Sequence, residues 1–595
     1  MKNKIISAVA ALLFLAGIAA GCAVGGNPSV TTDDNKNSAG TTDTEPTQTT
    51  DGGKKDPVEY HYKNASLQEN GKRLAFGVLN DINLFEPDTE VRYYISFSGK
   101  KLTGKVATVT IESDQLAYDI VKNHKLEGTE IVDSFVPKMN GIYRLRLKIV
   151  GDDTELKFSI GVVPRNKTAN PEFIFSCQPC LARVFTGRYS VLGQSSVDRQ
   201  AASMIKTIEY MGFNGIREDA IYWGDFQPTK DSEMNFGLFD RLLETANSHG
   251  QSLIYIIGTP PEWAYKEKYK NDTEICYNVC PEKEYWEDFC REVAVHTRNV
   301  ERGKLIWQIW NEPDGEFFHG TSEEYCELLD IGARTIRQYD PDAYIIGPGL
   351  VALINQERAE WWSKDTFPMG NTIKKLLDDK ILDAYAHHLH YPFDDNFFEY
   401  MENGIGLVQR TCGLGTTGLF NTESGVCSSD NAWCATENVA KALYFRARGY
   451  KDFTVFAFSS STEEFDGWTM FNGYLQPRES VIAYSTMLRF VGQATEHETI
   501  CSDRSLFADI YYDGEKSVVT VYYDGEQKTG KGTLVLPEGK DYIAYNIYGN
   551  KKALASNEIT ASADCVYIVY DGKVSASVSP MLIEKSCPLS GVEDV

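Results

Sequence analysis

Positive charge is scarce in this chain. Its 595 residues carry 84 Asp and Glu against 59 Lys and Arg, a formal net charge of −25. Such a surface repels polyanions and argues against nucleic acid as a partner, while leaving room for a local basic pocket. Three motifs are missing as well: there is no glycine-rich phosphate loop, no GxSxG elbow and no HExxH pair. Phosphoryl transfer on a P-loop, α/β-hydrolase chemistry and zincin proteolysis are therefore poor readings. Metal-ligand spacing is absent too. Cys177 and Cys180 form a lone CxxC and Cys276 and Cys280 a lone CxxxC, and without a second pair each reads as packing or a disulfide rather than zinc. The three histidines of "HHLH" alternate faces along one strand, so only His388 and His390 share a side. Nothing in the sequence calls for a metal or a cofactor.

The length allows two to four domains and at least one large core. At the N-terminus, Lys2 and Lys4 precede an apolar stretch from Ile5 to Ala20 and small residues running into Cys22. The stretch is short of the about 20 apolar residues of a spanning helix, and its layout is that of a secretion signal. Its "AAGC" ending resembles a bacterial lipobox, with Ala19 where leucine is more usual. That resemblance implies residues 1–22 as a lipoprotein signal, Cys22 as the acylated residue, and a protein exported and lipid-anchored to the bacterial cell envelope or surface. The twelve cysteines after Cys22 are an even number, compatible with disulfides in an exported protein. Residues 23–57 hold hardly an apolar side chain and include "TTDTEPTQTTDGGKKD". They bury too little to offset their ordering entropy and read as a flexible tether.

Three rhythms follow. Residues 58–165 show short alternating runs such as "EVRYYISFSG" and "GIYRLRLKIV", separated by turn residues, which predict an N-terminal β-sandwich. From 166 to 491 strands and helices alternate. Ala201, Met204, Ile205 and Ile208 mark one helix, ended by Gly212; Phe239, Leu242, Leu243 and Ala246 mark the next; Trp286, Phe289, Cys290 and Val293 a third, with Pro281 placed to open it. Thr321 and Glu324 form a capping box ahead of a fourth. Eight such units predict a (β/α)8 barrel. From 492 to 595 the alternation is all-β again, with Tyr-Asp-Gly turns at 512–514, 523–525 and 570–572, which predict a C-terminal β-sandwich.

In a barrel of this kind the active site lies at the C-terminal ends of the strands. The run "LIWQIWNEPDG" places Glu312 at the end of strand four, and "LFNTESG" places Glu423 at the end of strand seven. Those strands stand on opposite sides of the ring, so the two carboxylates face one pocket. A carboxylate at the end of a buried strand is costly unless it is compensated. Two carboxylates flanking one pocket are what glycoside hydrolysis requires, one protonated and one ionised.

"WNEP" closing a fourth strand and "TESG" closing a seventh resemble the large clan of retaining (β/α)8 glycosidases. Within it, "IREDAIYWGDFQP", "FGLFDRLLETANSHG" and "WNEPDGEFFHGTSEEY" are similar to the pattern of glycoside hydrolase family 39 and its relatives. The likeness covers roughly residues 170 to 490. It implies Glu312 as general acid/base, Glu423 as nucleophile, Asn311 as the ligand of the sugar 2-hydroxyl, and Arg217 as the cation that keeps Glu423 ionised. It also implies a strand-six His followed two residues later by a Tyr. Here His388 is followed by His390, and Tyr391 stands one place late. Trp468, taken to lie on strand eight, would floor the sugar ring and Trp263 would line a wall.

The reading is a glycoside hydrolase, β-glycosidase or β-xylosidase-like, that cleaves β-linked sugars of extracellular glycans by double displacement. Its carboxyl groups would stand about 5 to 5.5 Å apart, against roughly 6.5 to 9.5 Å in an inverting enzyme. An endo-acting glycanase of the same clan and a carbohydrate-binding lipoprotein without turnover are the alternatives.

Overall fold

The computed structural model describes residues 60–585 apart from 70, 114–115, 271–277, 316, 352–367, 414, 416–417, 460–466, 523–531, 537–540 and 575–581. Cys22, the export segment and the tether lie outside the described residues. No described helix is long and apolar enough to cross a membrane.

The described residues from His61 onward make one compact unit. Its first part is two facing sheets. Strands His61–Glu69, Lys72–Leu79, Val91–Ser98 and Glu130–Phe135 form one; Leu84–Phe85, Glu155–Val162, Gly141–Ile149, Val106–Ser113 and Tyr118–Lys125 form the other. The alternation read from the sequence is visible in Val106–Ser113, where every second side chain is buried.

The middle is a closed ring of eight parallel strands: Ile174–Cys177, Gly215–Glu218, Ser252–Ile257, Leu305–Ile309, Tyr344–Leu350, Ala384–His388, Leu419–Ser424 and Asp452–Val455. Helices between them bury the expected stripes. In Val197–Met211 these include Ala201, Met204, Ile205 and Ile208, and Gly212 closes the helix at φ 90°, a backbone conformation that costs glycine little. The Thr321–Glu324 capping box is present at the start of Ser322–Tyr339. Pro281 does not open its helix. Lys283–Arg298 is capped by Glu282, and Pro281 is engaged in a bridge with Tyr265.

A second sandwich follows. Strands Glu496–Asp503, Leu506–Tyr512, Lys516–Tyr522, Val566–Asp571 and Ile543–Tyr545 form a five-stranded sheet beside Glu558–Thr560, Gly532–Val535 and Leu582–Lys585. Both sandwiches brace the barrel. Asn83 donates to the carbonyl of Leu475 at 3.0 Å, Thr436 donates to Asp564 at 2.9 Å, and Asn140 and Asn550 join the two sandwiches. Nine of the cysteines, Cys177 and Cys180 among them, are free thiols.

Candidate active site

The inward faces of the strands decide what the ring can hold. Ile254, Ile306, Ile346, Ala384, Ala386 and Phe420 form an apolar floor inside the barrel. Side chains two residues apart share a face of a strand, so beyond Ile306 comes Gln308 and beyond Ala386 comes His388. Strand seven departs from this count. His387 pairs with Asn421 but His388 with Glu423, so Thr422 is an extra residue that turns Glu423 toward the interior, as a bulge does.

Glu312 lies three residues past the end of strand four. The backbone there is left-handed at Trp310, φ 72°, and at Glu312, φ 42°, conformations that cost non-glycine residues on the order of 1–3 kcal/mol each. The Glu312 N–H donates to the Gly349 carbonyl of strand five at 3.0 Å, and Asn311 bridges to Gly349. These bonds hold the strained turn in place.

Arg217, on strand two, is fully buried. A guanidinium has five N–H donors and no acceptor, and each of the five has a partner here. Nε donates to Gln308 Oε1 at 3.2 Å. Nη1 donates to Gln178 Oε1 at 2.9 Å and to Glu423 Oε1. Nη2 donates to Asn311 Oδ1 at 2.6 Å and approaches His388 Nε2 at 3.3 Å.

That last contact fixes a tautomer. Arginine only donates, so His388 Nε2 accepts and Nδ1 carries the hydrogen. Nδ1 then donates to Glu312 Oε1 at 2.6 Å, leaving Oε2 as the oxygen that holds the Glu312 acid proton. The ring fits only because strand five has no side chain at Gly349, where a Cβ would fall 2.2 Å from His388 Nε2.

The two glutamates are electrostatically unlike. Burial, and next the charge of Glu423, push Glu312 up to about 8, with His390 and Arg217 opposing. For Glu423 burial acts upward too, but His388, Arg217 and His390 outweigh it and hold the carboxyl well below the ordinary range. Burial pushes His388 itself down to about 3. Its ring is therefore neutral near pH 7, and Arg217 is the standing positive charge beside Glu423. One oxygen of each glutamate lies within 4.8 Å of the other. Glu312, His388, His390 and Glu423 together offer four possible ligand atoms for a metal. The Arg217 cation bonded to Glu423 opposes a second cation there.

Of the residues named from the sequence, the structure brings Glu312, Glu423, Arg217, Asn311, His388 and His390 together. His390 Nε2 is 3.5 Å from Glu423 Oε2, the side where the family pattern has a tyrosine. Tyr391 points elsewhere, its ring 5.8 Å from that of Tyr400. His387 packs outward against Phe445 and Tyr450. Trp468 corrects an expectation. Strand eight ends at Val455, and Trp468 lies beyond it, its carbonyl accepting from Ala457 N at 3.1 Å. Its ring still meets His390 edge-on at 5.5 Å. Trp263 packs on Trp223 and Tyr285 and donates to the Gln227 carbonyl, and none of these contacts reaches the glutamates.

Gln178 and Gln308 were not singled out in the sequence. A lone glutamine within "LIWQI", two places beyond inward-facing Ile306, was a signal for the second. Asp314 is another. It is fully buried and accepts from Val351 N at 3.1 Å.

A closed parallel barrel with two unlike carboxyls buried at its C-terminal mouth defines an enzyme of the (β/α)8 class. Residues 183–457 match the family model described as cellulase, glycosyl hydrolase family 5, and this region is a glycoside hydrolase domain. A β-xylosidase of Geobacillus stearothermophilus is 27% identical over 163 residues, 24% of this chain and 31% of that enzyme, so the match spans about a third of the relative. A family 39 glycoside hydrolase from the gut symbiont Bacteroides cellulosilyticus is similar in fold. Its TM-score is 0.59 at 15% identity, covering 82% of this chain and 99% of that one. A family 30 subfamily 8 xylanase from Clostridium acetobutylicum aligns with a TM-score of 0.45 at 11% identity, over 69% of this chain and 98% of that one.

Proposed function

We propose that the protein is a retaining β-glycosidase, β-xylosidase-like, acting on extracellular glycans from a lipid anchor at Cys22. The observation that carries the reading is the pair of buried carboxyls within 4.8 Å, one bonded by Arg217 and the other, Glu312, pushed upward by burial and by the charge of Glu423. That closeness falls on the retaining side of the roughly 6.5 Å below which no water fits between the two groups.

In this reading Glu423 attacks the anomeric carbon. The bond to the leaving oxygen breaks as Glu312 Oε2 delivers its proton there, giving a glycosyl-enzyme ester and a free alcohol. Glu312, now a carboxylate, takes a proton from water, whose oxygen attacks the same carbon and releases Glu423. His388 keeps Oε1 engaged in both steps. Asn311, whose Oδ1 is taken by Arg217, offers its amide N–H groups to the sugar 2-hydroxyl.

Incubation with a panel of aryl β-glycosides and plant polysaccharides, followed by proton NMR of the first sugar released, tests the proposal. Cleavage of a xyloside with the β-anomer appearing first is the expected result. An α-anomer appearing first would make the enzyme inverting, and binding without release of any sugar would leave a carbohydrate-binding protein. For the anchor, Cys22→Ser should move the protein from the particulate to the soluble fraction of a bacterial host.

A further inference from the structure

We infer that Lys441 is a positioning residue for the nucleophile, through its grip on the backbone that follows strands six and seven; the role rests on the glycosidase reading above. Lys441 sits in the helix Asn431–Ala447 and its side chain is fully buried. Its ammonium donates to the carbonyl of Tyr391 at 3.0 Å and to that of Gly425 at 2.9 Å. Tyr391 directly follows His390, and Gly425 stands two residues past Glu423. One cation thus ties together the two segments that carry the groups around the nucleophile.

Packing alone does not call for a lysine at this position. Ala440, Ala442 and Leu443 beside it on the helix are buried as well, and an apolar chain of equal length would fill the space without desolvating a charge. The charge is compensated locally. Burial pushes Lys441 down to about 8, while Glu437, one turn earlier on the helix, and Asp394 oppose the shift, so the ammonium is largely charged at pH 7. Glu437 also accepts from Phe393 N at 2.5 Å, which fastens the strand-six segment to the same helix.

The backbone that Lys441 grips has little slack on its other side. A Cβ at Gly425 would fall 2.0 Å from the Phe456 carbonyl of the strand-eight end. Leu389 N donates to the Glu423 carbonyl at 2.9 Å, and Ser424 Oγ donates to the Leu389 carbonyl at 2.6 Å. The Glu423 segment is therefore squeezed between strand eight and strand six and held outward by Lys441. Removing the ammonium leaves the buried Gly425 carbonyl and the part-buried Tyr391 carbonyl without this donor and lets Glu423 shift against Arg217 and Glu312. Displacements of about 1 Å at reacting groups cost on the order of 100-fold in rate.

Stopped-time trapping of Glu423 with 2,4-dinitrophenyl 2-deoxy-2-fluoro-β-xyloside, read by mass spectrometry of the labelled peptide, tests this in the full chain. For Lys441→Met the trapping rate constant should fall about 10- to 100-fold, with the dissociation constant of the probe within about threefold of wild type. Lys441→Gln, which keeps a neutral and shorter amide donor, should lie between. Wild-type trapping in either variant that folds, with only a lower melting temperature, would reduce Lys441 to a structural residue and overturn the inference. Failure of wild type itself to be trapped or to release sugar would overturn the glycosidase reading, and the Lys441 role with it.

Discussion

The floor and the mouth of the barrel are built from the same strands and obey opposite rules. On strand six Ala384 and Ala386 belong to the floor, and His388, two residues on, joins the Glu312–Arg217 network. On strand four the change comes between Ile306 and Gln308. The floor gains its stability from apolar burial and needs no direction. The mouth holds an arginine, two carboxyls and two imidazoles out of water, which is tolerable only because donors meet acceptors in a fixed geometry. A polar patch level with the floor follows the second rule. Asp452 is buried, pushed up to about 8 by desolvation, and accepts from Ser176 at 2.6 Å and Thr454 at 3.0 Å. There too the buried polar side chains answer one another.

Three experiments would break or sharpen that contrast. The largest effect is expected at the mouth. Glu423→Ala should lower turnover of an aryl β-xyloside by about 10⁴-fold or more, and it should lower the melting temperature as well, since it leaves the buried Arg217 cation without its carboxylate partner. Azide added in excess should restore part of the rate, because it supplies the missing nucleophile. A variant as active as wild type would show that the mouth is structural like the floor.

A smaller effect is expected from Glu312. Because its raised pKa keeps it protonated up to about 8, and Glu423 is ionised well below that, the rate should hold across neutral pH and fall as Glu312 loses its proton near pH 8. Glu312→Gln should lose that alkaline limb. It should slow substrates with poor leaving groups by about 10²- to 10⁴-fold and spare the first step for a dinitrophenyl leaving group. Equal loss on both leaving groups would argue against acid catalysis by this residue.

The smallest catalytic effect belongs to the floor. Ile346→Ala removes a fully buried side chain and should cost about 2–5 kcal/mol of stability by chemical denaturation. Turnover should stay within about threefold. A large loss of turnover at unchanged stability would mean that floor and mouth are coupled.

Much of this contrast was legible in the sequence. Strand runs, helical stripes and the Thr321–Glu324 box are local patterns, and local patterns survive folding when the core agrees with them. The pairing of Glu312 with Glu423 was legible because strand number in a closed ring fixes who faces whom. The strand-six and strand-eight assignments were less so. The bulge at Thr422 decides that His388 stands level with Glu423, and it has no marker in "FNTES". The placement of Trp468 alongside Ala457 is a long-range backbone pairing, which a count along the chain cannot register.

The amino-acid order by itself determined the alternation that builds eight parallel strands and the presence of one acid at the end of two of them. It did so because side-chain periodicity and turn chemistry act over a few residues. Only the closed tertiary structure decided which acid keeps its proton. That depends on Arg217 sharing five donors among residues from 178 to 423, and on a gap at Gly349 that lets His388 reach Glu312. Desolvation and charge act through space, and the distances that set them exist only once the ring has closed.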